Sequence, residues 1–288
     1  MDEHNEVLGQ LILNLSGVLS PASYLQSLGF EPFPWQMEAL QPHNRLILNC
    51  LRQAGKSTII SAKSVHRAKY YPGSLILLIS PSERQSIELM KKVEEFMSRD
   101  SQIELKTNNA LEKEFTNRSR IVALPGSEKT VRGFSAPAMI IIDEASRVSD
   151  EMFFSLRPMM SGETTKTELV LMSTPFGKRG FFYDSWNRPH RWKRIEVSGR
   201  TDYPEERYRA DRAREGILAW YSPRHTADFL EEEREAMGDW WFSQEYMCQF
   251  VEAQDNVFSL ADINAALRDD EEMIMFGEVE DNEEVYEL

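Results

Sequence analysis

The sequence is poor in the residues that staple a chain or anchor it in a bilayer. Two cysteines, Cys50 and Cys248, and five histidines in 288 residues argue against a disulfide framework or a Cys/His zinc cluster, and a reducing, cytosolic setting fits. No apolar run is long enough to cross a membrane. The acids Asp2, Glu3 and Glu6 ahead of Leu11-Ile12-Leu13 reverse the charge order of a secretory signal, so no membrane association is expected. Positive charge is scarce overall, with a net charge of −14. The deficit is concentrated: from Arg268 onward ten acids face one base, which leaves −5 for the other residues. Lys178 to Arg214 holds eleven Lys and Arg against six Asp and Glu. That stretch is either a solvated face or a surface available to phosphates.

What is present is a nucleotide-phosphate motif with its expected surroundings. The apolar run Leu46-Ile47-Leu48 and Asn49 lead like a buried strand into Cys50-Leu51-Arg52-Gln53-Ala54-Gly55-Lys56-Ser57-Thr58, and a helix-like stretch follows to Tyr70. Backbone N–H groups at a helix N-terminus make a pocket for phosphate oxygens; Gly55 allows close approach, Lys56 reaches the outer phosphates, and Ser57 can ligate Mg²⁺. The usual opening glycine is missing, because Cys50 stands in its place. A strand–turn–helix with an incidental Gly-Lys-Ser is the alternative.

A second stretch weighs against that alternative. Met139-Ile140-Ile141-Ile142 reads as a buried strand that ends in Asp143-Glu144, at the strand end where ligands collect in open α/β sheets. Two adjacent carboxylates are costly to bury without a compensating cation. Asp143 is therefore expected to hold Mg²⁺ opposite Ser57, with Glu144 activating the water that attacks ATP. Asp-Glu would also suit a plain helix N-terminus, but its order and separation from the loop favour an ATPase. A third apolar strand, Glu168 to Met172, ends in Ser173-Thr174-Pro175. Its hydroxyls are placed to couple to the phosphate or to Glu144; a simple strand exit is the other reading.

Around these motifs, Val7 to Leu19 is expected to be helical, and Ser20-Pro21 caps a short helix closed by Gly29. Phe30 to Met37 reads as a Pro-rich, aromatic turn just before another helix, and the Gln36 amide it carries is either an adenine reader or part of that turn. Ser74 to Ser80 reads as a covered strand, Pro81-Ser82 opens a helix, and Asn117-Arg118-Ser119 joins a hairpin. Glu206 to Glu215 and Arg224 to Met237 read as helices of a small subdomain. The expected division is an N-terminal helical segment (1–30), a core (31–200), a small helical subdomain (201–258) and an acidic tail (259–288).

With these pieces placed, the chain resembles the ATPase domain of the large terminase subunit of tailed bacteriophages. The resemblance rests on Pro34-Trp35-Gln36, the variant loop Leu51 to Thr58, Met139 to Glu144, and Ser173-Thr174-Pro175 followed by Phe176-Gly177. It implies an α/β P-loop NTPase of the RecA/ASCE type, with a central, mainly parallel sheet flanked by helices and a small helical subdomain. It also implies ATP bound by Gln36 and by Arg52, Gln53, Ala54, Gly55, Lys56, Ser57 and Thr58, with Mg²⁺ on Ser57 and Asp143. Glu144 would be the base, Arg52 a γ-phosphate contact in cis, Arg132 a trans-acting arginine finger, and Ser173-Thr174-Pro175 the coupling element. The implied partners are double-stranded DNA, a homo-oligomeric ring such as a pentamer, the portal and the small terminase subunit, in host cytoplasm on the procapsid. About thirty residues after Phe258 are too few for the nuclease domain of that family, so no nuclease activity is expected from this chain. A helicase-like remodelling ATPase and a nucleotide-gated assembly protein are the alternatives.

Overall fold

The apolar runs around which the sequence is organised form the middle of a single sheet. The computed structural model describes residues 15–126, 131, 133–160 and 167–252. The strands are β1 (Arg45–Cys50), β2 (Leu75–Ser80), β3 (Leu105–Asn108), β4 (Glu112–Phe115), β5 (Arg120–Pro125), β6 (Met139–Asp143), β7 (Glu168–Ser173), β8 (Lys193–Ser198) and β9 (Ile217–Tyr221). They lie in the order β3-β4-β5-β2-β6-β7-β1-β8-β9. Every pairing from β5 through to β9 is parallel, whereas β3–β4 and β4–β5 are antiparallel and finish one edge as the expected hairpin extended by β3.

Strands covered on both faces need apolar residues at successive positions, and β1 shows why. Leu46 and Leu48 join one hydrophobic cluster with Ile60, Val65, Val93 and Phe96, while Ile47 joins a second with Leu77, Ile140, Leu171 and Trp186. Each such fully buried side chain stabilises the fold by about 2 kcal/mol. The first cluster is covered by α1 (Pro21–Ser27), α2 (Pro34–Leu40), α3 (Lys56–Tyr70) and α4 (Glu83–Ser98). The second is covered by α5 (Asp150–Ser155) and α6 (Gly180–Trp186). Ser20 and Ser82 cap α1 and α4 by accepting from Ser23 N and Gln85 N.

Strand order decides where the motifs meet. β7 lies between β1 and β6, with Asn49 opposite Ser173 and Met172 opposite Asp143. All three motif-bearing strands therefore end side by side.

The region after residue 200 differs from the helical expectation. It holds α7 (Glu205–Arg214) and α8 (Ala227–Glu245), but between them β9 pairs with β8 and continues the sheet. The described residues up to Val251 belong to one compact unit. Arg194 and Glu196 on β8 are buried: Arg194 donates to the carbonyls of Trp186 and Glu215, and Arg212 donates to both carboxylate oxygens of Glu196. The basic stretch from Lys178 to Arg214 thus spends Arg194 and Arg212 on the interior, where a buried charge must be paired. Arg188, Arg191, Arg207 and Arg214 stay exposed. The acidic tail and the helical expectation for residues 7–14 lie outside the described residues.

Candidate active site

The loop after β1 explains why its first position tolerates a cysteine. Among the described residues, left-handed backbone occurs at Gln53 (φ 57°) and Gly55 (φ 98°) but not at Cys50, so Cys50 needs no glycine's freedom. It is fully buried, and burial pushes its thiol up to about 12. Leu51 N donates to Val197 O at 2.9 Å, which ties the loop to β8. Gly55 caps the N-terminus of α3. A Cβ there would lie 3.1 Å from Gln36 Nε2 in addition to facing a strained φ.

Lys56 and Ser57 open α3 directly opposite the acids that end β6. Lys56 Nζ lies 3.2 Å from Glu144 Oε1, and Ser57 Oγ donates to Asp143 Oδ2 at 3.2 Å. Burial alone would lower the Lys56 pKa, but Glu144 and Asp143 more than offset it and the net shift is upward. Burial raises the Asp143 pKa, against the opposing pull of Lys56. Glu144 itself has left-handed backbone (φ 49°, ψ 44°), a conformation that costs about 1–3 kcal/mol in a non-glycine residue and collects at functional sites.

Ser57 and Asp143 present two hard oxygen donors side by side, and no group of three or more His, Cys, Asp or Glu suited to a metal occurs among the described residues. That donor set fits Mg²⁺, which takes one or two protein ligands and completes its shell with phosphate and water.

Lys56, Glu144, Arg52, Gln53 and Thr174 line one cavity of about 300 Å³, together with Gln85, Arg147 and Glu245. Thr174 Oγ1 is buried there without a hydrogen-bond partner. Ser173 reaches the turn that follows Glu144: its Oγ lies 2.7 Å from Ser146 Oγ and accepts from Ser146 N at 3.2 Å. Ser146 Oγ also donates to Thr174 O, while Pro175 is buried. Ala54 is buried in the loop, and Thr58 is half-buried on α3. Arg132 lies outside the described residues.

Three participants have no counterpart among the sequence expectations. Glu245, at the end of α8, pairs with Arg52 (Nε–Oε2 2.5 Å) and accepts from Arg52 N through its backbone carbonyl. Gln244 accepts from Gly177 N at 3.3 Å, so α8 ends between the phosphate loop and the Ser-Thr-Pro turn. Arg147 stacks on Phe176 at 4.2 Å and lies 4.0 Å from Glu245. Nothing in the local pattern around Gln244 marks it, because its role depends on a contact 67 residues away in the chain. Arg147, three residues past Glu144, was within reach of the motif reading.

Gln36 is fully buried on α2. Its Oε1 accepts from Phe33 N at 2.9 Å, while its Nε2 has no partner and faces Gly55.

The family model "Terminase large subunit, T4likevirus-type, N-terminal" matches residues 51–265. Over 65 residues the chain is 38% identical to a probable terminase large subunit of Enterobacteria phage P7, a stretch covering 22% of this chain and 13% of that relative. The fold is similar to the large terminase ATPase domain of Thermus phage P74-26, with TM-score 0.57 and 19% identity over 79% of this chain and 97% of that one. It is also similar to the HK97 bacteriophage large terminase (TM-score 0.58, 14% identity, 76% of this chain, 51% of that chain). The large terminase of the thermophilic bacteriophage D6E has TM-score 0.56 and 12% identity over 77% of this chain and 54% of its own; that protein has been solved with ADP and with ATP-γ-S. The chain thus spans about half the length of the HK97 and D6E proteins. At these identities the solved structures speak to the fold, a mostly parallel sheet flanked by helices. The family model covers most of the sequence, from the phosphate loop onward, and the chain belongs to the family of terminase large subunits.

Proposed function

We propose that this chain is the ATPase part of a DNA-packaging motor, coupling Mg²⁺-dependent ATP hydrolysis to movement of double-stranded DNA into a procapsid. One observation supports this above the rest: Lys56, Ser57, Asp143 and Glu144 converge where β1 and β6 end, on either side of β7. A nucleotide switch needs the first three. Glu144 adds a base aimed at the same spot.

In this reading the N–H groups that open α3 and the Lys56 ammonium hold the β- and γ-phosphates. Ser57 and Asp143 hold Mg²⁺, which when bound neutralises phosphate charge and favours departure of the leaving oxygen. Lys56 exchanges Glu144 for phosphate, and the freed carboxylate takes the proton of the attacking water. Arg52, leaving Glu245, meets the γ-phosphate in cis, and Arg132 supplies the trans finger from a neighbouring subunit. Ser173 and Thr174 carry the state of Glu144 through Ser146 to the Pro175–Gly177 turn and the end of α8. Gln36 reads the adenine edge. The division into an N-terminal helical segment, a core to about residue 200 and a following subdomain belongs to the same proposal, as do the ring of copies, the portal, the small subunit and a host-cytoplasmic location. No helix among the described residues is long and apolar enough to cross a membrane.

The test is steady-state ATP hydrolysis against protein concentration, with Mg²⁺, for the wild type, Glu144→Gln and Arg132→Ala. Glu144→Gln is expected to bind ATP and to lose at least about 100-fold in turnover. Wild-type specific activity should rise with concentration, and Arg132→Ala should abolish the rise. Undiminished turnover in Glu144→Gln would assign the base elsewhere, and a flat wild-type profile would remove the trans finger.

A further inference from the structure

The contact between Arg52 and Glu245 ties the phosphate loop to a carboxylate that is costly to abandon. The Glu245 side chain is only 10% exposed, and its Oε2 accepts from Arg52 Nε at 2.5 Å. When Arg52 swings to a γ-phosphate, that carboxylate loses the partner that offsets its burial, and an unpaired buried charge is strongly destabilising. The loss would weaken ATP binding unless a second cation took the carboxylate. Arg147 is placed to do so. Its Nη2 lies 4.0 Å from the other oxygen, Oε1, too far for a hydrogen bond but within reach of a small side-chain movement. Among the described residues, Arg52 and Arg147 are the cations paired with Glu245, and both line the cavity that holds Lys56 and Glu144.

Arg147 is held at two further points. Its backbone N donates to Glu144 O at 2.9 Å, so it closes the short 3₁₀ turn (Ala145–Arg147) that directly follows the base. Its guanidinium lies over the Phe176 ring at 4.2 Å, in the turn after β7. Gly177 N of that turn donates to Gln244, the neighbour of Glu245. A guanidinium laid over a ring keeps its N–H groups pointing outward in its own plane, so it can stack and pair at the same time. A lysine would keep the charge and lose the plane.

We propose that Arg147 is a positioning residue that takes over the Glu245 carboxylate when Arg52 leaves it for the γ-phosphate. The proposal rests on the reading of Arg52 as a γ-phosphate contact and supplies the partner that this reading leaves Glu245 without. The exchange shifts one ion pair from the phosphate loop to the turn after Glu144. The end of α8, the Phe176 turn and the base are then drawn together only while a γ-phosphate is present. ADP leaves Arg52 on Glu245 and does not trigger the exchange. This link runs through charge and an aromatic face, apart from the hydrogen bonds of Ser146 with Ser173 and Thr174.

The test is equilibrium binding of ATP-γ-S and of ADP, each with Mg²⁺, to the wild type, Arg147→Ala, Arg147→Lys, Glu245→Gln, the double variant Arg147→Ala/Glu245→Gln, and Arg52→Ala. Arg147→Ala is expected to weaken ATP-γ-S about tenfold, the worth of one charge-assisted hydrogen bond, and ADP much less, because only the γ-phosphate strands the carboxylate. Arg147→Lys should fall between. In the double variant no charge is left to strand, so its ATP-γ-S affinity should match that of Glu245→Gln alone. An equal loss from Arg147→Ala in both backgrounds would put Arg147 on the phosphate itself and overturn the proposal. Unchanged ATP-γ-S affinity in Arg147→Ala, or equal losses for the two nucleotides, would overturn it as well. Retained ADP binding shows that a variant is folded. The underlying reading fails separately: an Arg52→Ala variant that discriminates ATP-γ-S from ADP as the wild type does would remove the γ-phosphate contact in cis.

Discussion

Helix α3 carries two buried lysines two turns apart, and their surroundings separate a working group from a structural one. Lys63 donates to Ala39 O at 3.0 Å, to Gln41 O at 2.7 Å and to the Glu168 carboxylate. Three donors meet three acceptors, and burial lowers the Lys63 pKa despite Glu168. Among the described residues Lys56 is ion-paired only with Glu144, at 3.2 Å, on the wall of a cavity, and its pKa is raised. Both are buried Lys–Glu pairs, but saturation makes the first a brace and incompleteness leaves the second open to phosphate.

The contrast can be broken most forcefully at Lys56. Lys56→Ala should lower ATP turnover by about 100- to 1000-fold while leaving the urea midpoint near that of the wild type; a large loss of stability would make Lys56 a brace as well. Lys63→Met should do the reverse. It strands Glu168 and should cost about 3 kcal/mol of stability, with turnover per folded molecule unchanged. Adding Glu168→Leu should restore most of that loss, because the uncompensated charge goes with it; denaturant titration of the single and double variants measures this.

The smallest effect lies one turn further along, at His66, whose Nε2 is 2.8 Å from Gly17 O and whose pKa is lowered by burial. The folded pKa is below the unfolded value of about 6.5, so the unfolded chain takes up the proton first on acidification. Stability is then full above that pH and falls as pH drops below it, by at most about 1.4 kcal/mol per pH unit for one group. His66→Gln should flatten the slope without abolishing it, since His43 and His225 shift in the same direction. An unchanged slope would assign the acid sensitivity elsewhere.

The strands that carry chemistry were legible because they are covered on both faces and read as unbroken apolar runs, as at Leu75–Ser80 and Met139–Asp143. Lys193–Ser198 was not, since Lys193, Arg194 and Glu196 give it the look of a charged surface until Arg212, Trp186 and Glu215 are seen to satisfy it. Ile217–Tyr221 is short and lies between polar helices. In the site, Lys56, Ser57, Asp143 and Glu144 announced themselves by residue type and separation. Glu245 and Gln244 could not, because each meets a residue brought close only by the sheet's crossover order.

The ordinary backbone of Cys50 bears on how such chains are recognised across lineages. A search keyed on the loop's opening glycine demands a residue the geometry does not require, and it passes over chains in which drift has replaced that glycine. The left-handed positions, Gln53 and Gly55, are the ones at which the backbone restricts the side chain. A search weighted toward them, and toward the acidic pair five strands further along the sequence, would gather distant relatives that a glycine-first pattern discards.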